Sequence, residues 1–241
     1  MLKGIDVSKH QGAIRWDLVK SQIDFAMLRA GYGKGNIDAF FDVNAVNCNQ
    51  LKIPIGAYWF SYAYTEEMAR NEAKSCINII RAHNIEYPVC FDFEYDSEKY
   101  AKKNGVTVNK ALLNKMAIAF LSEIEKAGYY AMNYTNIDYI NRGFSDLTSR
   151  YDTWLAQWSV KEPTKKCGIW QYSDNGKVNG INGRVDMNYS YHDYKEVIKN
   201  MKKDNKTIVK EKAKLMDSTI QYMSKYKYAD ELFRKLAEAM K

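Results

Sequence analysis

Two carboxylates in the run YPVCFDFEYD, Asp92 and Glu94, stand two residues apart in a segment of strand-forming residues. Side chains alternate between the faces of a strand, so Cys90, Asp92 and Glu94 share one face and Phe91 and Phe93 the other. Positions i and i+2 lie about 6.6 Å apart along a strand. Two carboxyl groups at that range in a partly buried site have their pKa values pushed apart, one staying ionised while its neighbour holds a proton. Glycoside hydrolysis requires that division. On a solvated strand end the same pair would do no chemistry. Asp6 in GIDVS and Asp186 in RVDMN extend the pattern, each flanked by apolar residues that read as strand. Carboxylates set into strands are costly unless paired or used. The plainer alternative has Asp6 capping a turn and Asp186 bridged to Arg184 or Arg29. His10 and Gln11 follow the first strand. His83 and His192 form no constellation with His10, which reads as a structural loop residue. No Ser-His-Asp, Cys-His or HExxH pattern has supporting context, so neither a metal nor a cofactor is expected.

The elements that must carry these acids are short apolar runs at 4–8, 25–32, 53–62, 87–95, 129–134, 153–158, 168–173 and 184–191. Helical patterns fall between the early ones, at about 14–22, 41–51, 65–83 and 109–127. In the last of these, Leu112, Leu113, Met116, Ala119, Phe120 and Ile124 form one stripe, and Gly128 ends it. Alternating strands and helices argue for parallel strands joined by crossover helices. After Tyr134 the helices thin out: 136–141 suits a single turn, and 159–167 and 174–183 read as loops. The pattern is α/β, five βα units and then three strands, which predicts a single (β/α)5β3 TIM-like barrel with a C-terminal helical appendage. Closing the ring makes the first and last strands neighbours and brings Asp6 and Asp186 to one mouth. An open doubly wound sheet is the alternative, weakened because no GxGxxG follows the first strand.

Composition narrows the function classes. The 241 residues are 46% hydrophobic and 27% charged, enough for a sizeable core. The 19 Tyr and 5 Trp suit either core packing or stacking on sugar-like ligands. The net charge of +7 is uneven: residues 199–241 hold 12 Lys/Arg against 6 Asp/Glu, so all but one unit lies there. Nucleic acid is therefore a poor partner for 1–198, whereas the tail suits a polyanion such as an anionic wall polymer. In the tail Val209, Ala213, Met216, Ile220 and Met223, continued by Phe233, Leu236 and Met240, predict an amphipathic helix or hairpin. It would bind the wall, self-associate into a homo-oligomer, or dock as a final helix. Division at 198/199 is expected. Cys48, Cys76, Cys90 and Cys167 are too scattered for a zinc motif, and Cys90 reads as a buried thiol. No stretch approaches the roughly 18 apolar residues of a membrane span, and no leader pattern opens the chain. Synthesis in the cytoplasm is expected, or prior removal of a leader.

Taken in order, GIDVSKHQG, RAGYG at 29–33, IGAYWFSYA at 55–63, FDFEY at 91–95, WLAQW at 154–158, WQYS at 170–173 and VDMN at 185–188 resemble the glycoside hydrolase family 25 lysozymes. These are Chalaropsis-type muramidases of bacteria and their phages. The resemblance covers residues about 3–195. It implies the incomplete-looking barrel above and cleavage of the β-1,4 bond from N-acetylmuramic acid to N-acetylglucosamine in peptidoglycan, as in a phage or prophage endolysin. It implies that Glu94 is the general acid and that Asp92 is its partner, acting as nucleophile or steadying the substrate's N-acetyl group. By the same resemblance Asp6 and Asp186 are further active-site acids, and Tyr58, Tyr134, Trp158 and Gln171 line the sugar cleft. Trp59 departs from the many relatives that carry His there, which bears on fine substrate preference. The rivals are a chitinase-like glycosidase, whose catalytic strand would carry another acid where Cys90 stands, and a wall-binding barrel without catalysis.

Overall fold

The computed structural model describes residues 1–223 together with Lys235 and Glu238; the side chains of Thr148 and of most residues beyond 203 lie outside that description. The described chain divides into two compact units, Met1–Ile198 and Lys199–Lys241.

Eight strands of the first unit close on themselves: β1 (Leu2–Val7), β2 (Phe25–Tyr32), β4 (Ile55–Phe60), β5 (Val89–Asp92), β6 (Ala131–Asn136), β7 (Asp152–Ala156), β8 (Ile169–Gly176) and β9 (Val185–Ser190). A two-residue strand β3 (Asn36–Ile37) hangs outside the ring on β2. Every neighbour pair in the ring is parallel except those made by β9, which runs antiparallel to both β8 and β1. The expected order, parallel βα units and then strands with little helix between them, is the order found.

Helices α1 (Trp16–Val19), α2 (Phe41–Gln50), α3 (Glu66–Ile80), α5 (Lys110–Lys126) and α6 (Ile137–Arg142) occupy the connections read as helical. Their starts are written in side chains that cap orphan N–H groups. Thr65 accepts from the Met68 N–H (3.2 Å), Asn109 from Leu112 (2.9 Å) and Asn136 from Tyr139 (2.9 Å). Gly128 follows α5 with φ +84°, a conformation that glycine adopts without strain. One helix was not expected. The strand read as 87–95 stops at Asp92, and α4 (Tyr95–Lys103) begins directly, with the Glu94 N–H donating to Ser97 Oγ at 3.1 Å. The alternation of FDFEY hid that turn, because Glu94 keeps an extended backbone (φ −127°, ψ −174°) before the helix starts.

Two apolar layers follow from strand alternation. The larger lies between ring and helices and holds Phe91, Phe93, Phe120 and Ile124. The smaller fills the ring itself, with Phe25, Met27, Cys90, Met132, Trp154 and Ile169, so the lower interior is packed solid. Cys48, Cys76, Cys90 and Cys167 are free and buried.

In the second unit, α7 (Tyr194–Met223) continues through residue 223. Of the expected apolar stripe, Met216 is exposed; Val209, Ala213, Ile220, Met223, Phe233, Leu236 and Met240 lie outside the described side chains. Among the described residues no helix is long and apolar enough to cross a membrane.

Candidate active site

The strand ends decide what stands at the mouth. Asp6 is next to last in β1 and Asp92 is last in β5, so both sit where the parallel strands finish. Because β9 is antiparallel, its beginning reaches the same rim, and Asp186 lies directly opposite Asp6 in register. Asp92 pairs in register with Phe60 on one side and Tyr134 on the other. Glu94 follows two residues past the strand, at the cap of α4. All four acids line one cavity of about 350 Å³, together with Tyr58, Tyr134 and Gln171. Below it the ring is apolar; at this level it is acidic.

The first pair, Asp6 and Asp186, is held by amides. Gln171 Nε2 and Asn188 Nδ2 both donate to Asp6 Oδ2, at 2.9 and 2.8 Å. Burial raises the Asp6 carboxyl to about 6, against the pull of those donors. Burial and the adjacent Asp6 charge raise Asp186 further, to about 8. The pair therefore keeps one proton between its two carboxyls near neutral pH. Among the described residues neither Arg184 nor Arg29 bridges Asp186; Arg29 pairs with Asp38 instead, at 2.7 Å.

The second pair, Asp92 and Glu94, is less well provided. Asp92 is buried, and its Oδ1 has no hydrogen-bond partner. Burial, then the neighbouring Glu94, pushes Asp92 well above the usual carboxylate range, and burial raises Glu94 as well. The contact between the two carboxyls raises Asp92 and works against the rise at Glu94, so they titrate as a unit that retains a proton. Such a pair can give a proton to a leaving oxygen while keeping a carboxylate close to the reacting carbon.

The remaining expected residues differ in what they do. Gln171 is buried and central: besides donating to Asp6, its Oε1 accepts from Tyr134 Oη (3.3 Å) and Trp158 Nε1 (3.1 Å). Trp158 is 45% exposed and does not line the cavity over the acids; it is tied to that site through Gln171. Tyr58 and Tyr134 set their rings against Trp154 at centroid distances of 5.7 and 4.8 Å. Trp59 points away from the mouth. It is fully buried in the outer layer and donates to the Gly33 carbonyl at 3.2 Å, so the departure at this position lies outside the cleft. His10 is exposed, on the cavity's edge; burial, Arg29 and Lys9 lower its pKa.

Two residues of the site went unread in the sequence. Asn188 links Asp6 to Trp154, whose Nε1 donates to Asn188 Oδ1 at 2.7 Å. Both were legible by alternation: Asn188 is two residues past Asp186, and Trp154 two before Ala156 and four before Trp158.

The family model for glycosyl hydrolases family 25 matches residues 5–181. Lysozyme M1 of Streptomyces globisporus is 28% identical over 204 residues, covering 78% of this chain and 67% of that protein. A family 25 glycosyl hydrolase from Bacillus anthracis superimposes with a TM-score of 0.69 at 25% identity, over 83% of this chain and 93% of that one. The modular autolysin LytC from Streptococcus pneumoniae, solved with a synthetic peptidoglycan ligand, gives 0.68 at 27% identity over 78% of this chain and 46% of its own. A barrel with its acids gathered at one mouth, matched through most of its length by that family model, leaves one assignment: the chain belongs to glycosyl hydrolases family 25 and is a glycoside hydrolase.

Proposed function

We propose that this protein is a muramidase that hydrolyses the β-1,4 bond between N-acetylmuramic acid and N-acetylglucosamine in peptidoglycan and so opens bacterial cell walls. The observation that carries this reading is the buried, proton-sharing pair Asp92 and Glu94 in the cavity of a family 25 chain. Glu94, the less buried of the two, protonates the leaving oxygen. Asp92, which lines the cavity, steadies the N-acetyl group of the substrate as that amide attacks the anomeric carbon. Asp6 and Asp186, with Gln171 and Asn188 behind them, hold the far wall of the cavity polar and fixed. Tyr58 and Tyr134 supply ring surface to the sugar. Lysozyme M1 and the peptidoglycan-bound LytC support the choice of substrate. The basic segment 199–241 serves as an anchor to anionic wall polymers.

Digestion of purified peptidoglycan followed by mass spectrometry tests the reading. Products ending in reducing N-acetylmuramic acid, with no release from chitin, are expected. Reducing N-acetylglucosamine ends would overturn the bond assignment. NMR of the freshly released anomer tests the role of Asp92: a product of inverted configuration excludes attack by the substrate's own amide.

A further inference from the structure

Among the described residues the buried carboxyls are Asp6, Asp38, Glu72 and Asp92. Asp6 and Asp92 face the mouth, and Asp38 holds Arg29. Glu72 stands on α3, outside the ring, and no step proposed above uses it. It is 3% exposed and shares the buried face of the helix with Ala69, Ala73 and Cys76, at the spacing that core residues take. Its hydrogen-bond partners are neutral, and burial pushes its carboxyl up to about 7 against the pull of those donors. A carboxyl in such a place is costly to keep.

Glu72 grips the chain as it leaves β4. Its Oε2 accepts from Ser61 Oγ at 2.6 Å and its Oε1 from the Tyr62 backbone N–H at 3.1 Å. Ser61 Oγ in turn accepts from the Ala63 N–H at 3.1 Å. Donors from two successive residues converge on one side chain, and a carboxyl offers the two acceptor oxygens that this needs. α3 is a firm base for the grip, since Ala69, Ala73 and Cys76 are fully buried in the core around it.

Ser61 faces two ways. Its hydroxyl reaches Glu72, while its backbone N–H donates to the Asp92 carbonyl at 2.7 Å. That bond carries the β4–β5 ladder past its final register pair, Phe60 and Asp92. Beyond Asp92 strand β5 has ended, and the Glu94 N–H has turned to Ser97 Oγ. The Ser61 N–H therefore holds the strand end that carries one acid and leads, two residues on, to the other. Displacing a reacting group by about 1 Å through a change far from the chemistry can cost about 10²-fold in rate.

We propose that Glu72 is a positioning residue for the Asp92 and Glu94 pair: through Ser61 it fixes the backbone from which both carboxyls project. The proposal rests on the muramidase reading and adds a link from the outer helix to the acids.

Soluble glycan strands prepared from purified peptidoglycan test it, with rates expressed per folded molecule. The pH profile of kcat/KM is measured as well, because its limbs report the acid pair and do not depend on how much enzyme is folded. Glu72→Ala should lower kcat at least about tenfold, change KM less than about twofold and move a limb of the profile by about half a pH unit or more, as the two carboxyls lose their fixed separation. Glu72→Gln should bring kcat back to within about threefold and leave the limbs in place, since its amide oxygen accepts from the Tyr62 N–H and its NH2 donates to Ser61 Oγ. Glutamine removes the charge as alanine does, so that recovery separates bonding from electrostatics. Ser61→Ala keeps the N–H that holds Asp92 and cuts only the tie to Glu72. It should move the profile in the same sense as Glu72→Ala, and it decides the matter if Glu72→Ala does not fold. A lowered melting temperature with kcat per folded molecule and both limbs unmoved would make Glu72 a fold residue only and overturn the proposal. So would a Glu72→Gln enzyme as impaired as Glu72→Ala. The unaltered protein separates the two levels: failure to cleave the strands removes the muramidase reading itself, whereas cleavage with unmoved variants removes only the positioning role.

Discussion

The two carboxylate pairs at the mouth are built in opposite ways. Asp6 and Asp186 meet across an antiparallel seam, from strands 180 residues apart in sequence, and Asp6 is gripped by two amides. Asp92 and Glu94 come from one strand end, and Asp92 keeps a buried oxygen with no donor. A satisfied pair is finished in the free protein and lends rigidity. An unsatisfied pair is complete only when something else supplies the missing hydrogen bond. On the proposed function the first pair lends support and the second does the chemistry, and substitutions in each can break or sharpen that division.

The largest effect belongs to Glu94→Gln. Glutamine keeps the shape but cannot donate the proton, and general acid catalysis is typically worth about 10²–10⁴-fold. Wall-lytic turnover should fall by that order with the circular dichroism spectrum unchanged. Asp186→Asn is the matched control. The pair already keeps a proton near neutral pH, and an amide N–H at position 186 can still face Asp6, so the loss should stay within about tenfold, or 1.4 kcal/mol. If the two substitutions cost the same, the two pairs do not differ in role.

Next in size is Asp6→Ala. It strips the acceptor from Gln171 Nε2 and Asn188 Nδ2, both buried. Each orphaned donor costs about 1–3 kcal/mol, so urea denaturation should show a loss of a few kcal/mol. Asp92→Asn should go the other way, removing a buried carboxyl whose Oδ1 lacks a donor: no loss of stability, with activity severely impaired. Destabilisation by Asp92→Asn as large as that by Asp6→Ala would mean that both pairs are structural.

How much of this was legible in the sequence divides along the same line. The Asp92 and Glu94 pair is local, and alternation alone placed it on the inner face, since Phe91 and Phe93 had to meet the helices. The Asp6 and Asp186 pair was legible only through topology: a ring must close, and closing it joins the first strand to the last. That β9 runs antiparallel, which brings Asp186 to the mouth from its strand's first turn, depends on the length and path of residues 177–184 and leaves no periodic mark. α4 was hidden for a related reason, because one extended residue at Glu94 prolongs the strand pattern into a helix cap. Trp59 was singled out only because many relatives carry His there; adjacent strand residues face opposite ways, and the same alternation that found Asp92 puts Trp59 outside.

Smaller still is the response to pH. Asp6 is raised to about 6, Glu72 to about 7 and Asp186 to about 8, all above their unfolded values. A raised carboxyl binds its proton more tightly in the folded state. Its contribution to stability is therefore complete below the unfolded pKa, near 4, and is lost as pH rises through the folded value. Across pH 4–8 the folded barrel holds more protons than the unfolded chain, so the melting temperature should fall from pH 5 to pH 8. Glu72→Gln should flatten the part of that slope near pH 7. A melting temperature that climbs from pH 5 to pH 8 would contradict the burial of these groups.

The smallest effect on the barrel is expected from removing the tail. Ile198 and Tyr194 are buried within the ring's own cluster, whereas Lys199, Lys202 and Lys203 open a segment that holds +6 of the chain's +7. A chain ending at Lys199 keeps those two buried contacts and both carboxylate pairs. It should fold with an unchanged melting temperature and cleave soluble glycan strands at the full rate. What it should lose is hold on the intact wall. If that hold is electrostatic, screening weakens it in the full-length protein too, because the Debye length contracts from about 10 Å at 0.1 M salt to about 3 Å at 1 M. Wall pull-down of both proteins across a salt series measures this, with light scattering alongside. The two binding curves should converge at high salt. Equal wall binding at low salt, with a drop from oligomer to monomer on truncation, would assign the tail to self-association. A truncated chain that fails to fold would make the tail part of the barrel's own packing.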